Sequence, residues 1–475
     1  ARSASRFIRF HPALIVVVGA CAVLFRDQVR SGLAGDVFYQ LAAGQWMLSH
    51  HAVIRHDVFS YTVAGRPWLA DEWGFEVLLA WLVNHVGAVS YWLVSAGACV
   101  VALLAGVARW RRIGAGWLWV ATLSVLAAAG LYLGLNPRPQ DLSYMYFSLL
   151  LLFLTLARRR TMWLVAVPPL LLIWANTHGS FLLGLGVVAL EVVWAALPPL
   201  KRRVRVSSPL PLKAAALALV FGFAAILVNP HGFELVTYSY KVSTNNQLNA
   251  LISEWQTPNF HSLFLLAVII GPVLFFIGLL AFSDTSFALE DLVIAGILLV
   301  STLHAIRFAP YFAVAVCGLL ARWSPIRTET IRPTVVSLPL AVVLAVALLA
   351  GPHVPAGAPA RGGPLGNPVA ATNFLERQTG RVFTTYWWSD YLIYRHIPVF
   401  VDGRTDLYFG TDILSTYANV AQLTVNPDNV FRQWDVRWVM WQKATSVTVF
   451  LTHDRQWRVA YKAGDAIVFE HVGPW

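Results

Sequence analysis

The chain is 475 residues long, 57% hydrophobic and only 12% charged, with a mean hydropathy of +0.61 and a formal charge of +11. Apolar runs long enough for a ~30 Å hydrocarbon layer recur along it, which excludes an ordinary soluble enzyme and indicates a polytopic helical membrane protein. Cations that punctuate the gaps between apolar runs argue against a nucleic-acid-binding domain, and Cys21, Cys99 and Cys317, each inside such a run, support neither a disulfide framework nor a thiolate metal site.

Arg2, Arg6 and Arg9 precede an apolar run from Pro12 to Phe25 with no small-residue cleavage site behind it, so the run is expected to stay as the first span. Spans are expected at about 12–25, 89–108, 115–135, 142–157, 162–176, 180–199, 210–229, 261–282, 286–303, 308–322 and 334–351, eleven crossings in all. With the amino terminus inside, short inside gaps hold 17 of the 35 basic residues, among them Arg109/Arg111/Arg112, Arg158/Arg159/Arg160 and Lys201/Arg202/Arg203. Counting 72–87 as a further span would move the clusters from Arg109 to Lys213 outside. That stretch therefore reads as a helix lying on the outer surface, with Trp73, Val77, Ala80 and Trp81 at helical spacing.

The outer side then collects the polar motifs. They are a long first loop (26–88), Asn136-Pro137-Arg138-Pro139-Gln140-Asp141, Asn176-Thr177-His178-Gly179-Ser180, the stretch from Asn229-Pro230-His231-Gly232 to Glu254-Trp255, and His304-Ala305-Ile306-Arg307-Phe308. The expected layout is a transmembrane domain over 1–351, a Pro/Gly/Ala-rich linker over 352–365, and a small extracytoplasmic α/β domain over 366–475. In that last domain a helix from Val369 to Gln378 precedes strands at Arg381–Tyr386, Pro398–Val401, Val436–Trp441, Trp457–Tyr461 and Ala466–Glu470.

Asp36 follows the first span closely, where partial desolvation makes a carboxylate a stronger base; it also suits the start of a helix over Val37–Leu48. Asp71 and Glu72 form a second acidic pair that can support the chemistry, hold a divalent cation or cap the surface helix. Asp57 is a further polar candidate, whereas His50, His51 and His56 match no strong zinc spacing. Arg307, beside His304 at an outer span end, and Arg138, between two prolines, are forks suited to phosphate oxygens or to snorkelling. His178 and His231 lie in glycine turns, and Glu254-Trp255 offers a hydrogen bond plus a ring face to a polar ligand. Glu191, inside a span, requires a partner.

An inside amino terminus, one span, a long outer loop with an early Asp, a surface helix and about eleven crossings resemble the GT-C membrane glycosyltransferases, in the style of protein O-mannosyltransferases and aminoarabinose transferases. The motif-level match is Gly35-Asp36-Val37-Phe38-Tyr39, with looser support from Asp57-Val58-Phe59-Ser60 and Trp68-Leu69-Ala70-Asp71-Glu72-Trp73. Val37 stands where the O-mannosyltransferases carry the second residue of an Asp-Glu pair, and the loop has no Asp-x-Asp. The resemblance implies a glycosyltransferase of a bacterial inner membrane, with Asp36 as catalytic base and Arg307 on a lipid phosphate. Its expected partners are a polyprenyl-phosphate sugar, a lipid, polysaccharide or protein acceptor, and membrane lipids, with no nucleic acid. A flippase of lipid-linked sugars would place polar residues along mid-span positions; a non-catalytic envelope scaffold would bind donor without forming product.

Overall fold

A computed structural model describes residues 10–30, 36–135, 137–197, 204–205, 209–244, 253–323, 334, 336–349 and 366–475. The chain opens with α1 (Ala13–Arg30), α2 (Asp36–His50) and α3 (Trp73–Val86). There follow α4 (Ser90–Ile113), α5 (Trp117–Tyr132), α6 (Pro139–Ala157), α7 (Val167–Ala175), α8 (Phe181–Ala196), β1 (Val204–Arg205), α9 (Leu212–Ile226) and α10 (Glu234–Ser243). Next come α11 (Leu263–Phe282), β2 (Phe287–Ala288), α12 (Leu289–His304), α13 (Ala309–Leu320) and α14 (Ser337–Leu349). The remainder holds α15 (Val369–Leu375), β3 (Arg381–Thr384), α16 (Tyr386–Tyr394), α17 (Ile413–Ala421), α18 (Pro427–Gln433), β4 (Val436–Gln442), α19 (Ser446–His453), β5 (Trp457–Ala463) and β6 (Ala466–His471).

Two compact units result: Ala1–Ser31 with Trp92–Val354, and Gly32–Tyr91 with Pro355–Trp475. The first is helical apart from the parallel β1–β2 pair. Its helices α4, α6 and α11 are long and apolar enough to cross a membrane, and several more run 10–17 residues. Val220 and Phe221 on α9, Leu274 and Phe282 on α11, and Val343 on α14 are exposed, as on helices whose solvent is lipid.

Each expected span holds helix, and local chemistry sets the ends. Pro139 and Pro310 stand in the first turns of α6 and α13, where a missing N–H costs nothing. The expected 162–176 span instead begins as a 3-10 helix, Thr161–Ala166. Pro168 and Pro169 fit only the first turn of a new α-helix, α7. In α11 the absent N–H of Pro272 coincides with a π turn over Leu266–Ile270.

The second unit is built on a sheet of order β3-β4-β6-β5, parallel between β3 and β4 and antiparallel elsewhere, with Val439 opposite Phe469 and Phe469 opposite Val459. Its core draws on two stretches of the chain. Met47, Ile54, Trp68 and Ala70 of the first loop pack with Phe383, Phe400, Leu407 and Tyr408 of the carboxy-terminal region. The backbone joins them too: Tyr61 N donates to Val399 O at 3.1 Å, and Val399 N to Phe59 O at 3.2 Å.

Two strand expectations are corrected. Pro398–Val401 is not a ladder strand, since Val399 makes only isolated bridges, to Ser60 and Val382. Tyr386 opens α16 rather than closing β3, because Thr385 is the extended residue that precedes the helix. The first helix of this region, α15, stops at Leu375, short of Gln378, and the chain turns at Gly380 with φ 112°.

Candidate active site

In the second unit Asp36 is the first residue of α2. One turn on, Gln40 Nε2 donates to Glu72 Oε2 at 2.8 Å, and Glu76 lies buried on α3. The two helices touch through Gly44, where a Cβ would stand 2.0 Å from the Glu76 carbonyl oxygen. Burial, with Asp406 nearby, pushes the Asp71 carboxyl up to about 7. Burial followed by Asp71 and Glu76 raises Glu72 well above the carboxylate range. Asp390 of α16 is raised likewise, by burial and then by Asp402 and Asp36. Asp36 thus shares its unit with a cluster of carboxyl groups, Asp71, Glu72, Glu76 and Asp390, whose burial favours the protonated form.

Asp57 belongs elsewhere. Arg404 Nη2 meets Asp57 Oδ1 and Asp402 Oδ2, each at 2.7 Å, while Asp57 also accepts from the Phe59 and Ser60 amides and the Ser60 hydroxyl. Arg404 lies 4.6 Å from the Trp68 ring centroid and 5.0 Å from that of Phe59. Asp57 is therefore part of a buried ionic joint. The stretch Asp402-Gly403-Arg404 supplies the other half. Gly403 N donates to Asp390 Oδ1 at 2.8 Å, and a Cβ at Gly403 would fall 2.6 Å from Asp390 Oδ2. A charged triplet following the apolar run Val399-Phe400-Val401 was the available signal.

In the first unit Leu133, Gly134, Leu135, Arg138, Gln140, Tyr144, Glu254, Ile306 and Arg307 line a pocket. Arg138, the residue before α6, pairs with Glu254 at 2.6 Å. Arg307, on a 3-10 turn, lies 4.2 Å over the Trp255 ring. The Tyr144 hydroxyl is buried and finds no hydrogen-bond partner among the described residues. Gly134 makes room for it, because a Cβ there would lie 2.2 Å from that oxygen. Two guanidinium groups and a phenol around one cavity suit the oxygens of a phosphate.

Three histidines fall outside the lining of this pocket. His178 Nδ1 is within 2.9 Å of Ser143 Oγ and 2.8 Å of Ser180 Oγ, and burial together with the Arg307 charge lowers its imidazole to about 3. The ring is thereby held neutral between the two hydroxyls. His231 sits in a turn whose amide donates to Asn229 Oδ1 at 2.7 Å, and His304 ends α12 exposed. Glu191 has its partner: Arg158 Nη2 reaches its two oxygens at 2.7 and 3.0 Å. Among the described residues no three His, Cys, Asp or Glu side chains converge as metal ligands.

No family model matches the chain, and no curated protein sequence does. Solved structures do. The archaeal oligosaccharyltransferase AglB from Archaeoglobus fulgidus, in complex with an inhibitory peptide and a dolichol-phosphate, aligns with a TM-score of 0.57 at 12% identity over 91% of this chain and 69% of its own. ArnT from Cupriavidus metallidurans bound to undecaprenyl phosphate aligns with a TM-score of 0.54 at 14% identity over 97% of this chain and 99% of its own. Its apo state gives 0.52 at 13% identity over the same shares. At such identities the likeness is one of fold.

Proposed function

We propose that the chain transfers a sugar from a polyprenyl-phosphate donor to a hydroxyl on a lipid, polysaccharide or protein acceptor at the outer face of a bacterial inner membrane. The observation that carries this reading is the pocket that sets Arg138, Arg307 and the Tyr144 hydroxyl around one space, in a fold whose solved members include complexes with dolichol-phosphate and undecaprenyl phosphate. Eleven crossings, an inside amino terminus and an outside carboxy-terminal region complete the proposal.

Asp36 takes the proton of the acceptor hydroxyl as its oxygen attacks the anomeric carbon. The bond from that carbon to the phosphate oxygen breaks, and its electron pair leaves on the phosphate, where Arg138 and Arg307 stabilise the added charge. Direct attack of the acceptor oxygen in a single displacement inverts the anomeric centre. Asp36→Asn is expected to lower sugar transfer by at least roughly 100-fold, the scale of a lost general base, while its thermal unfolding stays near that of the wild type. Transfer at a near-normal rate by a folded variant would remove Asp36 from this role.

A further inference from the structure

We propose that Glu254 sets the charge of the pocket, so that it accepts a singly charged phosphodiester and sheds the more highly charged phosphomonoester formed by the reaction. This rests on the function proposed above and names the regulation of the same site. Arg138 and Arg307 bring two positive charges to the lining, and Glu254 returns one negative charge, 2.6 Å from Arg138 Nη1. Gln140 and Tyr144 add hydrogen-bonding groups without formal charge. A polyprenyl-phosphate sugar carries one negative charge and brings the pocket to neutrality. Cleavage of the sugar–phosphate bond leaves a phosphomonoester of about −1.5 to −2 at pH 7, in excess of what the pocket balances.

Exchange on Arg138 is physically easy. Its side chain is 26% exposed and that of Glu254 34%, and ion pairs of such exposure hold weakly, so a phosphate oxygen replaces the carboxylate at small cost. The adjoining residue, Trp255, holds Arg307 by its ring face, which leaves the in-plane N–H edge of that guanidinium for an anion. Residues 254 and 255 thereby govern both cations. When the product forms, the Glu254 carboxylate repels it and competes for Arg138. Donors linked through a pyrophosphate, with still more charge, are disfavoured on the same ground.

Binding to the full chain in detergent micelles tests this with two probes, undecaprenyl phosphate and its methyl diester. Arg138→Ala and Arg307→Ala are each expected to weaken undecaprenyl phosphate by at least roughly tenfold; no weakening in either overturns the pocket assignment and this inference together. With the pocket established, Glu254→Gln is expected to tighten undecaprenyl phosphate by roughly tenfold and the methyl diester by less than about threefold. Glu254→Ala gives the same ratio and serves if the glutamine variant misfolds. Equal tightening of both probes, no change, or weaker binding of the monoester overturns the charge-balance role while the phosphate pocket stands.

Discussion

A guanidinium at 1% exposure is tolerated only where partners offset its burial, and Arg404 finds them in Asp57, Asp402 and two aromatic faces. Arg404→Ala leaves two carboxylates facing each other in the core, and a loss of about 3–5 kcal/mol in stability is expected, read as a fall in melting temperature. Asp57→Asn should cost less, because Arg404 keeps both oxygens of Asp402. The sequence singled out Asp57 by its polarity, but its partner lies in another part of the chain and no local pattern announces it.

The carboxyl groups around α3 add a pH dependence. Asp71, Glu72, Glu76 and Asp390 are raised, so the folded state holds their protons more tightly than the unfolded chain. Their contribution to stability is complete below an unfolded carboxylate value of about 4 and is lost as pH rises through the folded values, about 7 for Asp71. Melting temperature is therefore expected to fall between about pH 5 and about pH 8, and Asp71→Asn to flatten that fall. A profile that rises across the same interval would contradict the assignment.

At the scale of elements, α2 and α3 make one structure because Gly44 admits the α3 backbone. A Cβ at that position would also stand 2.8 Å from Ala80 Cβ. Gly44→Ala is expected to force the helices apart, cost about 1–3 kcal/mol and disturb the Gln40–Glu72 hydrogen bond. An unchanged melting temperature would show that the helices do not meet there. Helical spacing in the sequence located α3, yet its buried face is Phe75, Glu76, Leu79 and Ala80, and Trp81 is exposed. Periodicity finds a stripe; which side of it is covered depends on a neighbour that periodicity does not contain. The cation clusters were legible for the same local reason, and their partners were not. Arg109 pairs with Asp291, and Arg158 with Glu191 and Glu290.

For the molecule as a whole, hydropathy located helices because the apolarity of each segment is a local property, and three of them among the described residues are long and apolar enough to cross a membrane. Membership of the second unit is a non-local property. Residues 36–91 bury Met47, Ile54, Trp68 and Ala70 in a core completed by Phe383, Phe431, Val439 and Phe469, so neither part closes a core alone. A chain ending before residue 366 keeps the helices of the first unit and loses the apolar surface that offsets the conformational entropy of ordering the first loop. Such a truncated protein is expected to retain helical circular dichroism in detergent while a protease cuts it between residues 51 and 72, and to show no sugar transfer. The full chain should resist cutting there, since Thr62 Oγ1 donates to Phe400 O at 2.6 Å and Arg66 Nη2 to Phe409 O at 2.5 Å. Equal resistance in both proteins would mean that the first loop folds without the carboxy-terminal region.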